Sequence, residues 1–154
     1  MKDENLMKYL YIFIISLLFC NIGHANDTSE TWIGYVPICY HLNRNSDLNE
    51  INHGIFVFHD TWVIGTFKNS SYIQSYFLGK SFNTKKWTPF ENVFLRLNAH
   101  IGLLYGYGDY LPDIEGWSLG FTPTLEIGYK SISIETMISP ADDGVISFVF
   151  KYRF

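Results

Sequence analysis

The sequence predicts an all-β protein, namely an eight-stranded antiparallel transmembrane β-barrel that follows an N-terminal signal peptide. Residues 146–154 alternate large apolar side chains with mostly polar ones, as a strand does between lipid and a polar interior. Aromatic residues make up 18% of the chain, which suits the aromatic girdles of such barrels. A short apolar run near the N-terminus adds an export signal.

The N-terminal segment has the features of a secretory signal peptide. Lys8 precedes an apolar run that ends at Cys20. This run is too short to cross a bilayer comfortably as a helix, so we expect cleavage rather than a single-span anchor. The predicted boundaries are residues 1–25 for the signal peptide and residues 26–154 for the barrel domain. The mature chain then keeps one cysteine, Cys39, which excludes an internal disulfide.

Eight stretches of alternating apolar and polar residues follow the signal peptide. The alternation is cleanest in the second half of the chain, and we found no convincing helical period after residue 25. The predicted strands are residues 31–41, 54–58, 61–68, 72–81, 93–105, 117–129, 132–138 and 145–154.

An even number of strands places both termini on the periplasmic side of the outer membrane. The predicted periplasmic connections are those near residues 59–60, 82–92 and 130–131. The predicted extracellular connections are those near residues 42–53, 69–71, 106–116 and 139–144.

Strand parity predicts which side chains face the interior. Arg96, Glu126 and Glu135 have inward parity and are expected to neutralise one another inside the barrel. Counted back from an inward-facing His41, the interior also receives Cys39, Pro37, Tyr35 and Ile33. Phe67 and Val63 would share the side of Asn69, so an apolar outer lumen that suits one acyl chain is expected above a charged inner lumen. A well-packed small-barrel interior is the alternative. The four tryptophans lie near strand ends, where interfacial girdles form: Trp32, Trp62, Trp87 and Trp117.

His41 and Ser70 are the candidate catalytic residues. His41 ends the first predicted strand, and Ser70 lies in the connection between the third and fourth. Parity puts both at the extracellular rim, and a hydroxyl beside an imidazole is the minimal arrangement for base-assisted acyl transfer. Serine is a common residue and histidine is frequent where strands meet loops, so the alternative is that the two residues do not act together.

Several short motifs resemble the lipid A palmitoyltransferase (PagP) family, especially its shorter, phage-borne members. The similarity extends from about residue 35 to residue 154, nearly the whole mature chain. It is carried by residues 36–41 (VPICYH), 49–54 (NEINHG), 65–70 (GTFKNS), 121–125 (FTPTL) and 150–154 (FKYRF).

The resemblance implies an outer-membrane barrel that moves an acyl chain from a phospholipid onto lipid A. His41 matches the histidine of the family and Ser70 its serine. Asn69 stands where the family has aspartate and is the third candidate catalytic residue, expected to orient groups through its amide. Pro37 and Pro123 match prolines that leave lateral gaps for lipid, and proline does remove a ladder donor. A plain strand irregularity is the alternative for each proline.

Three further positions follow from the same resemblance. Ser81 matches the glycine that floors the acyl pocket of the family, which implies a different preferred chain length. Arg44 and Lys68 are the cations at the outer rim that are expected to meet a lipid phosphate.

Other function classes receive less support. The net charge of −4 argues against a nucleic-acid partner, and no metal-ligand spacing or cofactor motif is present. The expected partners are phospholipid, lipid A and the barrel-assembly machinery, which would recognise Phe154, and the expected state is a monomer. The alternative function is a non-catalytic small barrel that masks receptors or adheres to host components through loops 42–53 and 106–116.

Overall fold

The computed structural model describes residues 29–42, 47–107, 111–139 and 144–154. The predicted signal peptide therefore lies outside the described residues. Within them the regular structure is β-sheet, and they contain no helix that is long and apolar enough to cross a membrane.

The described strands form one antiparallel sheet that closes on itself. The ring runs β6-β4-β3-β2-β1-β10-β9-β8 and is completed by pairing of β6 with β8, while β5 and β7 are short additions beside β6 and β8. The all-β class and the eight-stranded barrel are thus confirmed. The strands are β1 Thr31–His41, β2 Ile51–His59, β3 Trp62–Lys68, β4 Gln74–Asn83, β5 Trp87–Phe90, β6 Val93–Tyr105, β7 Asp113–Ile114, β8 Trp117–Tyr129, β9 Ile132–Ser139 and β10 Val145–Arg153.

The two ends of the barrel differ in their connections. We call one the turn end, because it carries tight turns at residues 60–61, 91–92 and 130–131. Asp60, Asn92 and Lys130 have positive φ there, as such turns often require. The opposite end, which we call the loop end, carries the connections at residues 42–50, 69–73, 106–116 and 140–144.

The predicted long turn at residues 82–92 is wrong. β4 continues to Asn83 and β5 follows, and both run along β6, with Asn83 opposite Asn98 and Trp87 opposite Leu95. Between them the Thr84 backbone N–H donates to the Leu97 carbonyl, so this irregular link still follows β6. The chain then reverses in a two-residue turn.

Pro37 interrupts the ladders on both sides of β1. Between Tyr35 and Cys39, β1 has one more residue than the facing segment of β10, and the pairing with β2 is also irregular at this point. Proline lacks the N–H that a regular ladder needs, so a bulge forms here. The alternation of side chains therefore shifts by one residue at Pro37.

This shift corrects three predictions about β1. Ile33 and Tyr35 are each 42% exposed and face outward, although uninterrupted parity placed them inside. Trp32 and Val36 are buried in the interior instead, so Trp32 is no part of a surface girdle. Cys39 is buried on the side of His41 as predicted, and Val36 lies there too although uninterrupted parity placed it outside. Pro37, which was predicted to face inward, is only partly buried.

Opposite charges do meet in the interior near the turn end. Arg96 lies 2.6 Å from Glu126, and Lys151 lies 3.2 Å from Glu126 and 3.0 Å from Glu135. His100 Nε2 completes the set at 2.8 Å from Glu135. We call these five residues the charge cluster; their mutual neutralisation was predicted for Arg96, Glu126 and Glu135, whereas Lys151 and His100 were missed as partners.

Candidate functional site

His41 and Ser70 meet at the loop end. The Nε2 atom of His41 lies 2.8 Å from the Oγ atom of Ser70, and the two side chains are only 2% and 3% exposed. His41 is the last residue of β1, and Ser70 lies in the turn that follows β3. A nucleophile within hydrogen-bond reach of a base is the geometric signature of an activated hydroxyl.

Asn69 builds the turn that presents Ser70. Its Oδ1 atom accepts hydrogen bonds from the backbone N–H groups of Ser71 and Ile73, both at 2.9 Å. Its Nδ2 atom donates to the carbonyl of Gly106 at 2.7 Å. A carboxylate could not donate that last bond. The amide is thus committed to the backbone and orients Ser70 through the turn rather than through His41.

Asn49 ties the same turn to the loop that precedes β2, a role that was not predicted from the sequence. Its backbone N–H donates to the Ser70 carbonyl at 2.8 Å, and its Nδ2 atom donates to the Asn69 carbonyl at 3.0 Å. The side chain is buried. Asn49 begins the motif at residues 49–54, but an asparagine in an aperiodic loop does not by itself indicate which backbone groups it will bond.

Glu50 is a second residue that sequence reasoning missed as part of the site. Its Oε1 atom lies 3.9 Å from His41 Nδ1 and accepts a 3.5 Å hydrogen bond from the His41 backbone N–H. The Glu50 carbonyl in turn accepts from the Cys39 N–H at 3.0 Å, which fixes this loop against β1. Ser70, His41 and Glu50 are therefore arranged in the order of a serine–histidine–carboxylate triad.

A mostly apolar cavity of about 250 Å³ begins at Ser70 and lies in the loop-end half of the barrel. His100 lines this cavity and also contacts Glu135 of the charge cluster, so it marks the boundary between the two. The apolar outer lumen above a charged inner lumen is thus present. Other lining residues come from most strands of the barrel: Val36, Phe56, Val63, Phe67, Phe77, Leu104, Leu119, Gly120, Phe121, Met137 and Val145.

The barrel wall opens beside this cavity at Pro123. Pairing between β8 and β9 ends at Thr124 opposite Met137, so residues 117–123 of β8 have no ladder partner on β9. Leu119 and Phe121 lie on the outward side of β8 by parity and nevertheless line the cavity. The cavity therefore reaches the outer surface of the barrel between β8 and β9. Pro37 marks a second interruption, where β1 pairs irregularly with both neighbours.

The other positions predicted from the resemblance lie farther from the His41–Ser70 pair or outside the described residues. Ser81 is buried opposite His100 in the β4–β6 ladder and donates to Asn83. The described residues that line the cavity include His100 but not Ser81. Lys68 is at the rim, with its Nζ atom 5.5 Å from the centre of the Tyr72 ring. Arg44 lies outside the described residues.

Comparison with known proteins adds no family to this geometry. No protein-family model matches the chain, and no curated protein matches it significantly. The resemblance to lipid A palmitoyltransferases therefore stays a prediction from the motifs. Within the described ranges, no group of three or more His, Cys, Asp or Glu side chains could hold a metal ion.

Proposed function

We propose that this protein is an outer-membrane acyltransferase that moves an acyl chain from a phospholipid to lipid A. The observation that carries the proposal is the 2.8 Å contact between His41 and Ser70 at the mouth of an apolar cavity. A hydroxyl and a base beside a mostly apolar pocket suit transfer of a fatty-acyl group better than transfer of a polar one.

The outer face of the barrel supports a location in a membrane. Large apolar side chains such as Ile64, Leu103 and Ile127 are about half exposed there, whereas soluble monomers rarely expose a continuous apolar surface. The chain would reach the outer membrane after removal of residues 1–25, with the turn end periplasmic and the loop end extracellular. The barrel-assembly machinery would recognise the aromatic strand that closes with Phe154.

The lateral opening supports a lipid substrate. A phospholipid in the outer leaflet could insert one acyl chain between β8 and β9 at Pro123, or beside β1 at Pro37, without leaving the membrane. The walls of the cavity would hold the chain, and Lys68 at the rim would meet a phosphate. This assigns Pro37 and Pro123 as lipid gates.

The proposed reaction has two balanced steps. Ser70 Oγ attacks the ester carbonyl carbon of the phospholipid, and its proton passes to His41 Nε2. The ester C–O bond breaks, and the glycerol oxygen takes that proton, so lysophospholipid departs while the acyl chain stays on Ser70. A lipid A hydroxyl then attacks the acyl-serine, gives its proton to His41, and the released Ser70 oxygen regains it.

Mass spectrometry of lipid A after expression in a Gram-negative host tests the proposal. We expect lipid A to gain one acyl chain with the wild-type protein and none with Ser70→Ala or His41→Ala. Unheated and heated samples run differently on a denaturing gel when a barrel is folded, which controls for assembly of each variant. An unchanged lipid A profile with a folded wild-type barrel would favour the alternative, a non-catalytic surface protein that acts through its outer loops.

A further inference from the structure

We propose that Glu50 is a positioning residue that orients His41 and stabilises the imidazolium formed when Ser70 loses its proton. This inference rests on the proposed acyl transfer and assigns the third member of its relay. The family resemblance places an acid at position 69, next to the serine, whereas here that position is asparagine. The geometry points to Glu50, from a different loop, as the carboxylate that serves His41.

The orientation of the His41 ring gives the first argument. For Nε2 to accept the Ser70 proton, the neutral ring must carry its own proton on Nδ1. That atom is buried and has no hydrogen-bond partner among the described residues, and the Glu50 Oε1 atom lies 3.9 Å away. Catalytic hydrogen bonds are often long before substrate binds, so a small movement of Glu50 would close this one.

The way Glu50 is held gives the second argument. Its carbonyl accepts from the Cys39 N–H, and its side chain accepts from the His41 N–H, so it is bound to the strand that carries His41. The preceding residue, Asn49, bonds to the carbonyls of Asn69 and Ser70. One short loop thus connects the carboxylate, the imidazole and the hydroxyl.

The other groups around His41 do not offer a second carboxylate to its ring among the described residues. The Cys39 thiol on the same face of β1 lies 3.6 Å from the Asn49 carbonyl. The amide of Asn69 is committed to the backbone, and β10 places the uncharged Val145 opposite His41. Lys68, on β3, lies over the Tyr72 ring at the exposed rim. Among the described residues, Glu50 is the carboxylate that reaches the ring.

The experiment compares Glu50→Gln with Asp47→Asn in the folded barrel, reconstituted with phospholipid and lipid A. Both changes remove one carboxylate from the same loop, and among the described residues Glu50 is the carboxylate that lies 3.9 Å from the His41 ring. We expect Glu50→Gln to lower kcat by up to about a hundredfold, because general acid–base catalysis contributes roughly 10²–10⁴-fold and Glu50 acts on it only through His41. KM should stay at the wild-type value, because Glu50 contacts His41 and not the lipid in the cavity. Asp47→Asn should match the wild type in both measurements.

Three results would overturn the inference. Wild-type kcat in Glu50→Gln, with Ser70→Ala inactive, would refute the role of Glu50 and leave the acyltransferase intact. A lower kcat together with a raised KM would reduce Glu50 to a structural support of the loop. An inactive wild-type barrel would remove the proposed function and this inference together.

Discussion

The imidazole of His41 and the hydroxyl of Ser70 lie 2.8 Å apart although 29 positions separate the residues in the sequence. β2 lies between β1 and β3 in the barrel wall, yet it begins only at Ile51, below the rim. Above it the two side chains can meet directly. Closure of the barrel therefore creates the pair, and Ser70 also lines the apolar cavity beneath it.

Gly120 offers a test of the cavity as the acyl site. A Cβ atom there would lie 3.5 Å from Leu104 and 3.6 Å from Phe77, which is ordinary contact. Gly120→Ala should therefore transfer the same acyl chain as the wild type. Gly120→Leu should project into the cavity and shift the transferred chain towards shorter lengths, as read from the mass of the modified lipid A. The same chain length in both variants would place the acyl group elsewhere.

Pro123 offers a test of the lateral opening. Pro123→Val restores a backbone N–H and a residue that favours strands, so β9 should pair further along β8 and narrow the gap. We expect acyl transfer to slow by roughly tenfold, because substrate access through the ladder gap is restricted, while the barrel unfolds no more easily. Pro89→Val, on the short strand β5 near the turn end, is the matched control. Equal transfer rates in the two variants would show that lipid does not pass at Pro123.

The charge cluster should dominate the stability of the turn-end half. Lys151 neutralises both Glu126 and Glu135 and is 4% exposed. Lys151→Met would leave two buried carboxylates short of one cation and should cost about 3–5 kcal/mol in the free energy of unfolding. Lys130→Met, at an exposed turn, should change it by less than about 0.5 kcal/mol. Urea unfolding of the refolded barrel measures both, and similar values would contradict the assigned role.

Glu30 should make the stability of the turn end depend on pH. Burial raises its pKa, but hydrogen bonds from Lys86 and Arg153 outweigh this and lower the pKa to about 2 from an ordinary 4.5. The ionised form is therefore favoured by folding: its stabilisation is complete above pH 4.5 and is lost as the pH falls through about 2.

The variant Glu30→Gln measures that contribution. At pH 7 it should lower the free energy of unfolding by about 1–2 kcal/mol after allowance for solvent screening. The difference from the wild type should shrink between pH 4.5 and 2. Glu91→Gln, an exposed change at the same end, should show neither effect. A difference for Glu30→Gln that stays constant down to pH 2 would contradict the assigned ion pairs.

The sequence predicted the barrel well because alternation is a local property. The bounds of β1, β6 and β8 agree with the predicted ones, since the side chains of a barrel strand point alternately inward and outward and so follow a period of two. The bulge at Pro37 made the predicted faces of β1 wrong. It leaves the bounds of the strand unchanged, but the residues before Pro37 point to the opposite face from the one that parity counted back from His41 predicts. The prediction of a long turn at residues 82–92 was wrong for a related reason. The irregular link between β4 and β5 interrupts the alternation of side chains, so the short strand β5 was not recognised.

The site was predicted in part. His41 and Ser70 were identified from their positions at strand ends and from the motifs that surround them. Glu50 and Asn49 were not, because they act from an aperiodic loop whose contacts appear only when β1 and the β3–β4 turn are brought together. Lys151 had inward parity, but parity alone does not show which carboxylates it meets.

Acyl transfer by the purified barrel tests the central claim most directly. The folded protein would be mixed with phospholipid labelled in its acyl chain and with lipid A, and both products would be followed over time. We predict lysophospholipid and acylated lipid A in equal amounts from the wild type and neither from folded Ser70→Ala. Transfer at an undiminished rate by Ser70→Ala, or none by the folded wild type, would contradict the account.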